Sequence, residues 1–263
     1  ATWAHSLAGL RSQPLEAMGR AGRAETAGCT ARRVKQWLDL LTAVAPDHAH
    51  SQSRHPARQA VALASSRAGW ASLCRLVSAA HADAERGSPR VTRELIGRHG
   101  DDLVVMLGPD SDLGRALDAR SDDRAETLLR EWLDVVPRDR LAIGVTNHRV
   151  AGHGQGSASL AGRMLAFADR HGITGVLTNA VRMASRSDAP AADVLDAARR
   201  LVPLDVRNVD RRNAEGYLKS GKEMIAVAEE VCALSGRRDA TRLFGATRDL
   251  AIRCRLDPAA DVG

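Results

Sequence analysis

Four short stretches of the chain are almost wholly apolar: QAVALAS (59–65), LVVMLG (103–108), LAIGVTN (141–147) and TGVLTN (174–179). None alternates apolar with polar, as a strand with one wet face would. Runs of this kind suit strands buried on both faces of a parallel sheet. Segments with helical periodicity lie between them. Ala125, Leu128, Leu129, Trp132, Leu133 and Val136 form one apolar stripe, with Ser121 placed to cap it and Pro137 to stop it. Ser157 is placed to cap a second helix, with Leu160, Met164, Leu165 and Phe167 inward. His99-Gly100 and His171-Gly172 each end a helix directly before an apolar run, where glycine in the left-handed conformation is a standard stop. The alternation predicts an α/β fold of βα units, with parallel strands and right-handed crossovers.

Beyond residue 200 the strand signal fades. Ser220-Gly-Lys-Glu223 is a capping box opening a helix with Met224, Val227, Ala228 and Val231 inward. A last helix is predicted from about Ala240 to Cys254, with Leu243, Phe244, Leu250 and Ala251 on its face. At the other end, Ala45–Arg58 (APDHAHSQSRHPAR) has no apolar period and reads as linker or disorder. One helix is plausible near residues 31–44, where Val34, Trp37, Leu38, Leu41 and Val44 share a face.

Composition adds little. The net charge is +6 and the pI about 9.7, which fits a nucleic-acid partner. Yet lysine occurs only at Lys35, Lys219 and Lys222, and the Ala/Arg dominance is also what GC-rich coding gives. Aromatics are 3%, too few for a base-stacking surface. The arginines, among them Arg120, Arg124, Arg163, Arg199, Arg200, Arg237 and Arg238, spread over many helices rather than one face. No apolar run approaches the ~18 residues of a membrane span. The chain starts at Ala1 without Met and without a signal-peptide pattern, and reads as a piece of something longer. Cys29, Cys74, Cys232 and Cys254 form no CxxC pair. Cys74 and Cys254 sit at helical spacing among apolar residues, which predicts buried free thiols in a reduced cytoplasm.

Residue chemistry alone names no function. Gly152-His-Gly154-Gln-Gly156-Ser157 joins a strand to a helix start, but its spacing is GxGxG and no Lys follows, so a flexible loop is favoured over a phosphate cradle. His148 follows a buried strand, where a histidine can ligate a metal, although a site needs several convergent ligands. His99 and His171 read as structural residues at helix ends. His48, His50 and His55 read as a solvated tract. Asp188 as a cap and Asp193 in a first helical turn need no catalytic role.

Several stretches go further. GWASLCRLVSAAH (69–81), DDLVVMLGPDSDLGRAL (101–117), GVLTNAVRMASRSDAPAADVLDAARRLVPLD (175–205), RRNAEGYLKSGKEM (211–224) and ATRDLAIRCRLDP (246–258) resemble the PHP domain of bacterial DNA polymerase III alpha-type proteins of the error-prone branch. The resemblance covers residues 59–263 in unbroken order. It implies an incomplete, distorted (βα)7 barrel of PHP type with a C-terminal helical extension: 58–235 a partial PHP domain, and 236–263 the start of the linker toward the polymerase.

Residues 1–57 match no family segment in this reading. They are expected to be disordered or partly helical: a divergent or truncated start, or a stretch translated out of frame.

Metal-binding relatives gather His, Asp and Glu at the mouth of the barrel and hydrolyse phosphoesters there. The resemblance implies that this pattern is broken here. Arg182 and Ala192 stand where those relatives carry His, and Gly144 stands where they carry Glu. Of that set only His148 remains, and a guanidinium cannot ligate a metal. The expectation is a structural module without catalytic residues, bound metal or cofactor. The palm and its Mg2+ would lie beyond Gly263. The implied partners are the remainder of a polymerase chain, DNA through that chain and other replication or mutasome subunits, in the cytoplasm and off the membrane. The alternative is a free-standing, metal-dependent PHP phosphoesterase.

Overall fold

The computed structural model describes residues 59–82, 89–205, 208–209, 211–237 and 239–262. The chain divides into two units: one of Ser53–Ala189 with Arg212–Gly263, the other holding the segment Pro190–Arg211.

In the larger unit, all four apolar runs form strands: β1 (Val61–Ala64), β2 (Leu103–Leu107), β3 (Leu141–Val145) and β4 (Thr174–Leu177). They make one sheet in the order β1-β2-β3-β4. β2, β3 and β4 run parallel, in registers such as Val105 opposite Leu141 and Ile143 opposite Gly175. The fold is therefore a mixed α/β sheet with many helices.

β1 departs from the all-parallel expectation. It pairs antiparallel with β2, Val61 opposite Met106 and Ala64 opposite Leu103. An apolar run encodes burial, not direction, and mixed sheets commonly carry an antiparallel edge strand. Its tip is wet, with Val61 exposed.

Both faces of the central strands are covered, which explains their continuous apolarity. Leu103, Val105 and Leu107 of β2 and Leu141, Ile143 and Val145 of β3 enter the main core. Val104 and Ala142, pointing the opposite way, are also buried. The helices around the sheet are α1 (Arg67–Ala82), α2 (Arg93–His99), α3 (Asp112–Asp118), α4 (Asp122–Leu133) and α5 (Ala158–Arg170), followed by α7 (Gly221–Ser235) and α8 (Ala240–Arg253). α5 buries Leu160, Met164, Leu165 and Phe167, as its period predicts. It packs on α7 closely enough that a Cβ on Gly162 would lie 2.8 Å from the Leu234 side chain. The outer edge of β4 meets no further strand among the described residues. Thr247 of α8 closes it instead: its hydroxyl accepts from Leu177 N at 3.0 Å and lies 3.0 Å from the Leu177 carbonyl.

Predicted caps are met at Ser157, which accepts from Leu160 N, and in the Ser220–Glu223 box. Ser121 holds the N-cap position of α4, but its side chain makes no capping bond. Gly172 is left-handed at φ 63°, whereas Gly100 is not, at φ −90°. Gly100 is needed for a different reason: a Cβ there would sit 2.3 Å from the Ile96 carbonyl. Cys74 is exposed and Cys254 half-buried, against expectation, while Cys232 is buried. On α1 the inward stripe is Ser72, Leu76 and Ala80, and position 74 lies off it.

In the other unit, which takes α6 (Ala189–Arg200) from Pro190 onward, Arg211 pairs with Asp193 and Asp196, the latter at 2.8 Å. Asp193 lies one turn further into α6 than the sequence indicates, and its carboxylate serves Arg211 rather than the helix start. Asp188 precedes α6 and accepts from Ser185 N at 2.8 Å. The predicted helix at 31–44, the tract His48–His55 and Cys29 lie outside the described residues.

Candidate functional site

Because β3 and β4 are parallel, their C-terminal ends open on the same side, where α/β sheets place ligands. The loop after β3 carries Thr146, Asn147, His148 and Arg149. The loop after β4 carries Thr178, Asn179 and Ala180. A third segment, Asn213–Lys219, runs alongside, joined by the Met183–Tyr217 bridge and by Arg182 N donating to the Gly216 carbonyl at 2.8 Å. α7 adds Glu223 and Glu230.

These elements converge in a dense polar cluster. Asn179, nearly fully buried, donates through Nδ2 to the carbonyls of Glu215 (2.9 Å) and Tyr217 (2.7 Å). Its Oδ1 accepts from Lys219 Nζ at 3.2 Å. The Lys219 side chain has no exposed surface. Its ammonium also donates to the Glu215 carbonyl, lies 3.2 Å from Glu215 Oε2, and sits 4.3 Å from the centre of the Tyr217 ring. Burial pushes its pKa below the usual lysine value, and the bond to Glu215 opposes that shift.

Glu215 is the node of the cluster. Besides Lys219 it meets Arg149 at 3.4 Å and Arg186 at 2.7 Å. Arg149 also forms a two-pronged contact with Glu230, with Nε 3.0 Å and Nη2 2.7 Å from Oε1. Those bonds raise its pKa further. Glu230 additionally accepts from Asn147 Nδ2 at 2.8 Å. Tyr217 donates to Glu223. That bond, with the Ser220 amide and hydroxyl, holds the Glu223 carboxyl down at about 2.

His148, the one retained candidate ligand, is half-buried beside this cluster. Its Nε2 lies 2.8 Å from the Asn179 carbonyl. A carbonyl only accepts, so this nitrogen must carry the proton, and its lone pair is not open to a metal. The Asn213 amide donates to the His148 carbonyl at 2.6 Å, and Gly216 leaves room beside the ring. Arg182 is exposed on the strip following β4. Ala192 lies on α6, in the other unit. Gly144, inside β3, is filled in by Met106: a Cβ there would be 3.0 Å from its Cγ and Sδ. Among the described residues no three His, Cys, Asp or Glu side chains are grouped to hold a metal ion. The donor set does not fit the metal chemistry that the family resemblance brings to mind. Its carboxylates are already compensated by Arg149, Arg186 and Lys219, and His148 has no group of further ligands around it among the described residues.

The loop 152–157 has Gly152 and Gly156 at positive φ, and Gly156 accepts from His148 N at 2.8 Å. The glycines thus bend the loop back onto the end of β3. Among the described residues no helix is long and apolar enough to cross a membrane.

Asn179, Glu215, Tyr217 and Lys219 lie inside the family-like stretches with no role legible from sequence, Glu223 was legible only as a helix cap, and Arg149 and Glu230 carried no signal. One signal was available: Lys219 is one of three lysines in an Arg-rich chain, two residues after the single tyrosine.

Comparison with known proteins finds a family model and relatives that match part of the chain. A family model described as "PHP domain" matches residues 23–148. The match starts within the stretch 1–57, where the sequence reading saw no family segment. The chain is 31% identical over 141 residues, 54% of its length, to an "Error-prone DNA polymerase" of Pseudomonas savastanoi pv. phaseolicola, covering 12% of that protein. It is 28% identical over 192 residues, 72% of its length, to a "DNA polymerase III subunit alpha" of Pseudomonas fluorescens, covering 15% of it. The aligned region thus spans a small part of either relative. Over residues 23–148 the chain is similar to the PHP domain family, and at low identity over part of its length it is similar to an error-prone DNA polymerase and to a DNA polymerase III alpha subunit.

Proposed function

We propose that the chain is the PHP portion of a DNA polymerase III alpha-type protein of the error-prone branch, serving as a structural module rather than a hydrolase. In this reading the four-stranded sheet is part of an incomplete, distorted (βα)7 barrel. Residues 58–235 form the partial PHP domain, and 236–263 lead toward the polymerase body. Template-directed DNA synthesis, its Mg2+, contact with DNA and any meeting with other replication subunits belong to the whole polymerase in the cytoplasm.

The observation that carries the reading is the state of the β3–β4 corner. Glu215 is surrounded by Arg149, Arg186 and Lys219, and His148 donates to the Asn179 carbonyl. Opposite charges held this closely and partly shielded from water brace three chain segments, whereas a hydrolytic metal needs several convergent ligands, and here the carboxylates are engaged by cations.

The test is the metal content and phosphoesterase activity of the purified chain, with His148→Ala as control. A module gives no stoichiometric metal and the same background activity in both proteins. Bound zinc or manganese, with activity lost on removing His148, would establish the free-standing phosphoesterase instead.

A further inference from the structure

Arg149 occupies an unusual backbone position. Its φ is 54°, a left-handed conformation that a long side chain seldom adopts without compensation. The compensation is visible. Its amide donates to Asn147 Oδ1 at 2.9 Å, while the other end of the same Asn147 amide group donates to Glu230. The left-handed turn sends the guanidinium between two carboxylates on different elements. Nε and Nη2 engage Glu230 on α7, and Nη1 reaches Glu215 on the 213–219 segment. Asn213 steadies the far side, donating to the His148 carbonyl and accepting from Glu215 N at 3.0 Å.

Resting on the structural-module reading, we infer that Glu215 and Glu230 form a two-carboxylate cation site that the chain fills with its own Arg149. The guanidinium is a built-in counter-ion. It locks the β3 loop to α7 and to the 213–219 segment, and it keeps external cations out. Arg186 and Lys219 also neutralise Glu215, so Glu230 is the carboxylate that depends most on Arg149. Emptied of its guanidinium, the site would take either a free guanidinium ion, which has the same fork of donors, or a small divalent cation suited to oxygen ligands.

The test is the thermal stability of the wild-type chain and of Arg149→Gly. Glycine suits the positive φ, so any loss reports the side chain rather than backbone strain. Each is measured in sodium chloride, in millimolar guanidinium chloride and in magnesium or manganese chloride, at matched ionic strength. The wild-type Tm should be the same in all, and that of Arg149→Gly should fall by about 3–8 °C. Guanidinium or the divalent cation should restore at least half of that fall. In Arg149→Gly/Glu230→Gln the recovery should vanish. An unchanged Tm in Arg149→Gly, the absence of cation-specific recovery, or equal recovery in the double variant would each overturn the inference. Should Arg149→Gly not fold, Arg149→Asn serves: asparagine tolerates the positive φ, removes the charge and should gain Tm from added guanidinium, and no gain overturns the inference. Metal retained by the wild-type protein would instead sink the module reading, so the two failures are distinguishable.

Discussion

The ammonium of Lys219, without exposed surface, lies 3.2 Å from the Glu215 carboxylate and 4.3 Å from the centre of the Tyr217 ring, so a charge buried in the protein is paired on one side and faces a π-cloud on the other. Lys219→Met should cost about 3 kcal/mol, the low end for a broken buried pair, because Glu215 keeps two arginines. Glu215→Gln should also destabilise, since it leaves the ammonium buried with only dipoles around it. The double variant should lose less than the sum of the two, by about 1–3 kcal/mol of coupling. Urea unfolding of the four proteins measures the cycle.

Acid should act through Glu223. Its folded-state pKa, about 2, lies below the ordinary 4.5, so its deprotonated form favours folding. That contribution is complete above about pH 4.5 and is lost as the pH falls toward about 2. Glu223→Gln should therefore flatten the pH dependence of Tm within that window and leave it unaltered near neutrality. The same carboxylate pushes the Tyr217 hydroxyl above 10.0. Tyr217 is the single tyrosine of the chain, so its phenolate absorbance can be titrated directly. Its midpoint should fall toward 10 in Glu223→Gln.

Thr247→Val keeps the shape of the side chain and removes the hydroxyl that serves Leu177 N and the Leu177 carbonyl. The strand amide is then left without a partner beneath α8. The expected cost is about 1–3 kcal/mol. Hydrogen exchange should show the Leu177 amide losing protection while the amides of β3 keep theirs.

Gly144→Glu puts back the residue type that the resemblance associates with metal-binding relatives. It should not create a ligand. Its Cβ would meet the Met106 side chain at 3.0 Å inside a strand that is buried along its whole length. Overpacking and an unpaired carboxylate together should cost about 3 kcal/mol or more. The measurable outcome is a lowered urea midpoint with no metal uptake by the folded fraction.

The strands were legible because burial on both faces leaves only apolar residues to choose from, and the helices because their stripes have period 3.6. Strand direction was not legible: Val61–Ala64 has the same composition whichever way it runs. The capping role of Ser121 failed where that of Ser157 held, because a cap depends on the backbone angles at that residue, and Ser121 has ψ 77° against 150° at Ser157. The polar corner was the least legible part. Its members are scattered from Asn147 to Glu230, each of ordinary type. Only the parallel ends of β3 and β4 bring them together. His148 stood out for its chemistry, whereas Arg149 beside it holds the charges apart and was read as one arginine among many.

The reach of these bonds along the chain has a kinetic consequence. Asn147 and Glu230 are separated by 83 residues, and His148 and Asn179 by 31. Closing long loops costs entropy before the contact returns anything. The sheet and its first helices can therefore assemble while the β3–β4 corner is still open. The corner closes when Asn213–Lys219 and α7 arrive, so during synthesis a ribosome must release this region almost to its end before the ion pairs can form. Until then the apolar core also waits for Val227, Ala228 and Val231 of α7, so core and polar seam are completed together.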